Sequence, residues 1–350
     1  MIPDPGLATP PAGNSDDEHP TRTTKEFHVQ IGWSLSSEEH GPSRLVELAG
    51  LAERHGLDFV SISDHFHPWI AEQGHSPFVW SVLGAIAERT ESIGVAVGVT
   101  CPTVRIHPAI IAQASATTSL LLDGRFVLGV GSGEALNEHV LGDRWPPAPQ
   151  RIEMLEEAVE VIRRLWTGDS VTHRGTHYVV ENARIFDVPE HPPPIVMSAF
   201  GPIAAGAAAR CGDGLWTHAD SPELVAAFEE AGGSGPRYGQ VTFCWAPDRD
   251  DAIATALRVW PNSSLPGQLS QDLPTPRHFE EASGVVTGEM LAATTPCGPD
   301  LDPIVDAVRV ARDAGIDHVY LHQLGSDQES CFDLWDAELG DRLRAVAAGE

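Results

Sequence analysis

The sequence predicts a (β/α)8 TIM barrel with insertion segments, for three reasons. Eight short apolar runs of strand character alternate with amphipathic, helix-like stretches from residue 27 to the end. This alternation favours parallel strands joined by right-handed crossovers, and eight strands close a barrel. Titratable and aromatic residues follow several runs, at the ends where a barrel opens to its site. A doubly wound open sheet is the alternative.

Residues 1–26 precede this pattern. They are rich in Pro, Asp, Ser and Thr and contain no apolar segment typical of a secretory signal. We therefore expect a disordered tail over 1–26 and a single barrel domain over 27–350.

Composition excludes several classes of partner. The 350-residue chain has a formal charge of −28, and Lys25 is its single lysine, so nucleic acids and anionic membranes are disfavoured as partners. No apolar run is long enough to span a bilayer. Five scattered cysteines form no CxxC pair and no HExxH helix is present, so we expect a cytoplasmic protein with no metal site.

The elements follow in a regular order along the chain. The candidate strands are "FHVQIGWSL", "LDFVSIS", "IGVAVGVT", "RFVLGVG", "PIVMSAF", "DGLWTH", "GQVTFCWA" and "DHVYLHQ". Between them, "QRIEMLEEAVEVIRRLWTG" places Leu155, Val159 and Ile162 at helical spacing, with Glu and Arg on the opposite face. Such a stretch predicts a helix with one face against the barrel.

Two insertions interrupt the rhythm. Residues 170–192 read as a β-hairpin that ends in a proline-rich turn, and residues 260–300 form a long excursion before the last strand. Loops of this length within a compact domain usually serve as lids or binding walls.

The string "SISDHFHPW" at 61–69 is the first candidate for chemistry. It ends a strand with an acid (Asp64), an imidazole (His65) and an indole (Trp69). A lone histidine is more often structural, but this grouping at a strand end favours a functional role.

Two glycine-rich turns follow later strands. "GVGSGEALNE" at 129–138 differs from the dinucleotide motif GxGxxG, because Glu134 occupies the final glycine position. A tight βα turn with a capping Glu is its structural alternative. In "SAFGP", Gly201 begins a helix whose free N–H groups suit a phosphate. No GxSxG elbow is present, which disfavours a serine hydrolase.

Taken together, several strings resemble those of the coenzyme F420-dependent glucose-6-phosphate dehydrogenases. These enzymes belong to the luciferase-like group of flavin and deazaflavin oxidoreductases. The matching strings are "SDHFHPW", "HSPFVWS", "CPTVRIHPAIIAQ", "RFVLGVGSGEALNE", "RLWTGD" and "DHVYLHQLGSDQ". The resemblance covers roughly residues 27–345 and implies a homodimeric barrel with F420 in its mouth.

The resemblance also implies roles for individual residues. His65 would take the proton from a substrate hydroxyl, and Trp69 would lie beside the substrate. Glu134 would be the acid next to the deazaflavin ring, and Asp64 would contact that ring. An imidazole suits the role of base, and a carboxyl group against an aromatic ring should have a raised pKa.

The remaining implied residues surround the cofactor and the substrate. Gly98–Val99 corresponds to a bulge with a non-proline cis peptide. Glu38 would line the substrate pocket, as would Trp69, Asp220 and Gln271. The residues expected to hold the ring edge and the cofactor tail are Gly131, Ser132, Gly133, Asn137, Ala199, Phe200 and Gly201.

The sequence departs from this family where the sugar phosphate should bind. Asp220 falls at one lysine position, and Ser270 and Gln271 fall near an expected Lys–His pair. A phosphate dianion without a facing cation is disfavoured. Arg277 and His278 are the available substitutes. We therefore hypothesise a neutral alcohol, an unphosphorylated sugar or a more apolar secondary alcohol as the substrate, with either direction of hydride transfer open.

Two other functions are kept as alternatives. One is an FMN-dependent monooxygenase of the same barrel group, which would activate oxygen with reduced flavin. The other is a barrel that binds a deazaflavin without catalysis. The intact His65 and Glu134 count against the second alternative.

Overall fold

A computed structural model describes residues 28–349, and within them the predicted TIM barrel is confirmed. The ten strands are β1 (Gln30–Leu35), β2 (Phe59–Ile62), β3 (Gly94–Thr100), β4 (Phe126–Val130), β5 (Val171–Arg174), β6 (Val179–Ala183), β7 (Ile195–Ser198), β8 (Gly214–His218), β9 (Arg237–Phe243) and β10 (His318–Gln323). Eight of them close a parallel barrel in the order β1-β2-β3-β4-β7-β8-β9-β10. The expected tail, 1–26, lies outside the described residues.

Helices follow the barrel strands and surround them. They are α1 (Pro42–Arg54), α2 (Val79–Arg89), α3 (Pro108–Leu121), α4 (Ala135–Glu138), α5 (Ala148–Leu165), α6 (Pro202–Cys211), α7 (Pro222–Glu230), α8 (Arg249–Val259), α9 (Leu269–Asp272), α10 (Pro276–Ser283), α11 (Gly288–Ala292), α12 (Asp302–Asp313), α13 (Glu329–Leu334) and α14 (Gly340–Ala347). Short 3-10 turns cover Ala71–Gln73, His139–Leu141 and Pro261–Ser264, and a π-helical turn covers Trp335–Leu339.

Proline and side-chain caps fix where several helices begin. Pro42, Pro108 and Pro202 each open a helix, where the missing N–H costs nothing and the fixed φ suits the first turn. The Asp248 carboxylate accepts hydrogen bonds from the backbone N–H groups of Asp250 and Asp251 at the start of α8. By fixing where these helices begin, the prolines and the cap keep the connections from the preceding strands short.

The helix α5 confirms the predicted amphipathic stretch. Leu155, Val159 and Ile162 are each at most 2% exposed and pack in the main hydrophobic core. Burying each side chain stabilises the fold by about 1.5–3 kcal/mol.

Aromatic rings fill the barrel interior below the strand ends. Trp216 stacks on Tyr238 with ring centroids 4.6 Å apart, and the Trp216 Nε1–H donates to Tyr320 Oη at 2.8 Å. A Cβ at Gly32 would lie 2.6 Å from the ring of Phe59, so only glycine leaves room for that ring. The packed interior forms a floor beneath the strand ends.

The two insertions have different structures. Strands β5 and β6 form an antiparallel pair outside the barrel. The segment 260–300 contains the Pro261–Ser264 turn and helices α9, α10 and α11. Its return is held beside β9, because Cys244 N–H donates to Pro296 O at 2.9 Å and Gly298 N–H donates to Cys244 O at 3.0 Å.

Within residues 28–349, no helix is both long and apolar enough to cross a bilayer.

Candidate active site

A cavity of about 840 Å³ opens at the carboxyl ends of the barrel strands, where barrel sites lie. The insertion 260–300 forms one of its walls. The predicted residues that line the cavity are Glu38, Asp64, His65, Trp69, Gly98, Val99, Gly131, Ser132, Gly133, Glu134, Asn137, Phe200 and Gln271.

Three predicted residues are not among those that line the cavity, and their roles stay predictions. Ala199 is 1% exposed, and its backbone is held by β8, since its N–H donates to Trp216 O and its carbonyl accepts from Thr217 Oγ1. Gly201 is the residue before α6. Asp220 is exposed in the turn between β8 and α7.

His65 lies between two carboxylates. Its Nδ1 is 3.3 Å from the carbonyl oxygen of His67 and 3.4 Å from Oε1 of Glu38, and its Nε2 is 3.6 Å from Oε2 of Glu134. A carbonyl oxygen can only accept a hydrogen bond, so Nδ1 carries the hydrogen in the neutral imidazole. The lone pair is then on Nε2, which suits a general base.

Glu38 is 2% exposed and is held by two hydroxyl groups. Its Oε2 accepts hydrogen bonds from Ser36 Oγ at 3.0 Å and Ser63 Oγ at 2.8 Å. Among the described residues, Oε1 has no hydrogen-bond partner and is directed toward His65. A carboxylate in this position orients an imidazole and stabilises its protonated form.

Glu134 has an unusual protonation equilibrium. Burial raises the pKa of Glu134 to about 7; the charge of His65 opposes the shift, and that of Glu38 adds to it. The side chain is 29% exposed and accepts a hydrogen bond from Asn137 Nδ2 at 3.2 Å. A carboxyl group with this pKa exchanges a proton near neutral pH.

Asn137 connects the two catalytic turns. Its Oδ1 accepts hydrogen bonds from the backbone N–H groups of Phe66 at 2.9 Å and His67 at 3.2 Å. Its amide nitrogen donates to Glu134 as described. The turn after β2 and the turn after β4 are therefore held at a fixed separation.

Asp64 is part of a buried ionic network beside the cavity. Its Oδ1 accepts from Arg105 Nη2 at 2.9 Å, and its Oδ2 accepts from the hydroxyl of Thr100. The backbone N–H of Arg105 donates to Glu138 Oε2 at 2.6 Å. Because Arg105 faces both acids, the network compensates for the cost of burying charge.

Trp69 forms a side wall next to the imidazole. Its ring meets that of His65 edge-on, with centroids 5.0 Å apart, and meets Phe279 of α10 at 5.1 Å. The indole therefore connects the catalytic turn to the insertion and limits the access of water to His65.

The backbone at the ends of β3 and β4 forms one side of the cavity. The Gly98–Val99 peptide bond is cis, as the resemblance implies. Gly133 has φ +84°, and a Cβ there would lie 2.5 Å from Cys101 Sγ and 2.9 Å from Glu138 Cγ. Only glycine fits this turn without displacing a neighbour.

A buried arginine joins this turn to the insertion. Arg151 is 2% exposed and donates to Gly133 O at 3.2 Å and to Gln271 Oε1 at 3.1 Å. Its guanidinium group lies over the ring of Trp145, 4.3 Å from the centroid. Helix α9, which ends just beyond Gln271, is thus held across the cavity from β4.

Polar residues of β9 and β10 form the far wall, which the sequence analysis missed. His322 is 2% exposed; its Nε2 is 2.9 Å from Glu39 Oε2, and its Nδ1 is 3.0 Å from Gln240 Nε2. Burial of Glu39 acts to raise its pKa. The hydrogen bond with His322 and the charge of His322 act to lower it, and the net shift of the pKa is downward. Alternation along β10 was an available signal, because Tyr320 and His322 face the same side of a strand.

The lining contains no Lys and no Arg among the described residues. Arg277 is 84% exposed and pairs with Glu281 at 2.8 Å, and His278 bonds to Thr275 at 2.6 Å. Neither substitute therefore brings a positive charge to the cavity.

Comparison with known proteins agrees with the resemblance. The profile of the luciferase-like monooxygenase family matches residues 26–318. The F420-dependent glucose-6-phosphate dehydrogenase of Nocardia farcinica (strain IFM 10152) is 38% identical over 91% of this chain and 99% of its own length. That of Rhodococcus erythropolis (strain PR4 / NBRC 100887) is 37% identical over 91% and 98%.

Solved structures show the same fold. An F420-dependent secondary alcohol dehydrogenase, in complex with an F420-acetone adduct, superposes with a TM-score of 0.83 at 29% identity, over 90% of this chain and 99% of that one. The coenzyme F420-dependent tetrahydromethanopterin reductase of Methanopyrus kandleri superposes with a TM-score of 0.74 over 90% and 99%; its identity of 23% supports the fold alone. The chain therefore belongs to the luciferase-like monooxygenase family, together with the F420-dependent glucose-6-phosphate dehydrogenases.

Proposed function

We propose that the protein is an F420-dependent oxidoreductase that transfers a hydride between its cofactor and an alcohol or carbonyl substrate. The observation that carries this proposal is the line of Glu38, His65 and Glu134 in the barrel cavity, a base between two acids. The names and coverage of the related dehydrogenases support the same cofactor.

The cavity fits a deazaflavin in size and in the chemistry of its walls. Its volume, about 840 Å³, falls within the range of roughly 300–1,000 Å³ typical of cofactor pockets. Gly131, Gly133 and Asn137 border it from β4, and Asp64 borders it from β2. When bound, F420 supplies the carbon that accepts or donates the hydride.

His65 handles the proton of the substrate hydroxyl. In the oxidation of an alcohol, its Nε2 accepts that proton as the carbon loses the hydride. The Nδ1–H faces the carbonyl of His67 and the carboxylate of Glu38, and both stabilise the imidazolium that forms. In the reverse direction, the same imidazolium returns the proton to the developing alkoxide.

Glu134 holds the second proton. Because its pKa is raised to about 7, a large fraction of its carboxyl groups is protonated at neutral pH. The resemblance implies that this acid lies beside the ring of the cofactor. It then provides the proton that accompanies the hydride.

A lining without Lys or Arg supports a substrate without a phosphate group. A buried dianion needs a facing cation, and the described cavity lining has neither Lys nor Arg. We therefore propose that glucose 6-phosphate is a poor substrate here.

The decisive experiment is a titration of the purified protein with F420 and, separately, with FMN. The chain has nine tryptophans, and Trp69 and Trp216 border the cavity, so binding should quench intrinsic fluorescence. We expect quenching by F420 and none by FMN, followed by F420 reduction in an alcohol screen. Quenching by FMN alone, with oxygen uptake on reduction, would assign the protein to the monooxygenases instead.

We also propose that the protein is a cytoplasmic homodimer. Several apolar side chains are exposed in the single chain. They lie after β2, at the start of α2 and along α3, and belong to Phe66, Phe78, Ile110, Leu120 and Leu121. A second copy would remove them from water. Light scattering after gel filtration should give twice the mass of 37.5 kDa.

A further inference from the structure

We propose that the substrate is a neutral, hydroxyl-rich molecule, such as an unphosphorylated sugar or polyol, and that the side-chain amides of Asn262 and Gln271 bind its hydroxyl groups. This inference rests on the proposed function and selects one substrate class among those that a cavity lined by neither Lys nor Arg admits. Both residues are in the insertion and line the cavity.

The insertion gives the cavity a wall of uncharged polar groups. Side chains that donate and accept hydrogen bonds without carrying charge dominate it. These residues are Asn262, Ser263, Gln268, Ser270 and Gln271. Such groups suit hydroxyls, which also donate and accept, whereas an apolar alcohol would leave them unpaired.

Asn262 has an amide oxygen without a partner among residues 28–349. The residue is 9% exposed, and its Oδ1 is buried with no hydrogen bond among the described residues. Leaving a buried amide unsatisfied costs free energy. Asn262 lines the cavity, so a ligand hydroxyl that reaches this amide can recover that cost.

Gln271 presents its amide nitrogen as a donor. Its Oε1 accepts the hydrogen bond from Arg151 Nη2 at 3.1 Å. A guanidinium group only donates, so the amide oxygen must face Arg151, which leaves the NH₂ group on the opposite side. That group makes no hydrogen bond with the described residues and is free to donate to a substrate oxygen. Arg151 is therefore a positioning residue for Gln271.

The first test compares substrates on the wild-type protein loaded with F420. We expect D-glucose to reduce F420 with a higher kcat/KM than either 2-propanol or glucose 6-phosphate. Calorimetric titration of D-glucose into the protein should show saturable binding, which gives a readout independent of turnover. Preference for 2-propanol, or no binding of sugars and polyols while F420 binds, would overturn the inference and leave the proposed function standing. Failure to bind F420 would instead remove the proposed function.

The second test uses substitutions in the wall. Asn262→Leu keeps the size of the side chain and removes the amide group that is proposed to hydrogen-bond the substrate. The loss of one neutral hydrogen bond should raise KM for the sugar by about three- to tenfold. Because the amide is proposed to bind the substrate and to handle neither the proton nor the hydride, kcat should remain unchanged. Gln271→Met should have a similar effect, with unchanged F420 affinity as the check that the site is folded.

A matched control lies in the same turn. Ser264 has a buried hydroxyl without a partner among the described residues, but it does not line the cavity. Ser264→Ala should leave KM within about twofold of wild type. An equal rise in KM for Ser264→Ala and Asn262→Leu, or none for Asn262→Leu, would contradict the proposal.

Discussion

A histidine between two differently held carboxyl groups gives this site its proposed chemistry. Glu38 is held by the hydroxyls of Ser36 and Ser63, and partial burial raises the pKa of Glu134 to about 7. Two acids in unlike environments can serve unlike functions. One orients the base, and the other gives or takes a proton.

Replacing the base gives the first prediction. His65→Gln should lower kcat by about 10²–10⁴-fold, the usual contribution of a general base. F420 affinity should change little, because the hydrogen bonds that tie this turn to Asn137 come from the backbone of Phe66 and His67. Steady-state rates and fluorescence titration measure the two quantities. A variant that loses F420 binding but retains turnover at saturation would contradict the assignment.

The pKa of Glu134 gives the second prediction. In the direction of alcohol oxidation, Glu134 must be protonated, so kcat/KM should fall about tenfold per pH unit above its pKa of about 7. Glu134→Gln cannot release a proton. Its activity should be about 10²–10⁴-fold lower and should lack this alkaline decline. A pH profile of both proteins measures the effect.

The same group links stability to pH in the protein without cofactor. The folded pKa of about 7 exceeds the ordinary value of 4.5, so the folded state binds more protons between these values and loses stability as pH rises through them. The gain in melting temperature for Glu134→Gln over wild type should be larger at pH 8 than at pH 4. An equal difference at both pH values would argue against the raised pKa.

Sequence reasoning at this scale succeeded where motifs were contiguous. His65, Trp69 and Glu134 stand in strings that resemble a known family, and all three line the cavity. His322 stands in one of these strings but was not singled out, because it lies inside a strand, and Asn262 stands in none, because it belongs to the long insertion. The role of Asp220 stays a prediction: the residue is exposed in a turn, and matching by sequence position says nothing about which way a turn directs its side chain.

At the scale of elements, the glycine turn after β4 is the most constrained part of the site. Gly133 adopts φ +84° between Cys101 and Glu138, while Gly142, at φ +87°, has open space around its Cα. Both glycines adopt the left-handed conformation, but only at Gly133 would an added Cβ also collide with neighbouring side chains.

This pair gives the third prediction. Gly142→Ala should cost about 1–2 kcal/mol for the backbone conformation alone. Gly133→Ala adds the displacement of two buried side chains and should cost about 2–5 kcal/mol in total. Urea unfolding followed by circular dichroism measures both. Equal losses for the two variants would show that crowding at Gly133 is relieved without cost.

The bounds of a strand can depend more on its pairing with neighbouring strands than on its own sequence pattern. Strand β9 begins at Arg237, two residues before the predicted run, because Arg237 pairs with Leu215 and Tyr238 pairs with His318. The preceding "GSGP" reads as a loop, and only the neighbouring strands show that "RY" belongs to the sheet. The structure inside the insertion was not predicted, since its helices are short and cover few turns.

For the whole molecule, the sequence was sufficient to predict the architecture. Eight strand-like runs each overlap one barrel strand, and parallel pairing with closure is the arrangement that alternating elements favour. The choice between a closed barrel and an open sheet depended on strand number and was strengthened by the resemblance.

Net charge gives the fourth prediction. A formal charge of −28 on 350 residues creates repulsion that opposes the compact state. Raising the sodium chloride concentration from about 10 mM to about 150 mM shortens the Debye length from roughly 30 Å to 8 Å and should raise the melting temperature. Potassium chloride should act equally, because screening depends on ionic strength. A response to one cation alone would indicate a specific ion site instead.

The pairing of Cys244 with Cys297 at the base of the segment 245–296 has a consequence for how such enzymes diversify. The two ends of that segment are neighbours joined by backbone hydrogen bonds, so its contents can change in length and composition without moving β9 or β10. His65 and Glu134 belong to other turns of the barrel. Evolution, or a protein engineer, can therefore exchange this segment as a cassette and retarget the enzyme, provided that the contacts of Phe279 with Trp69 and of Gln271 with Arg151 are kept.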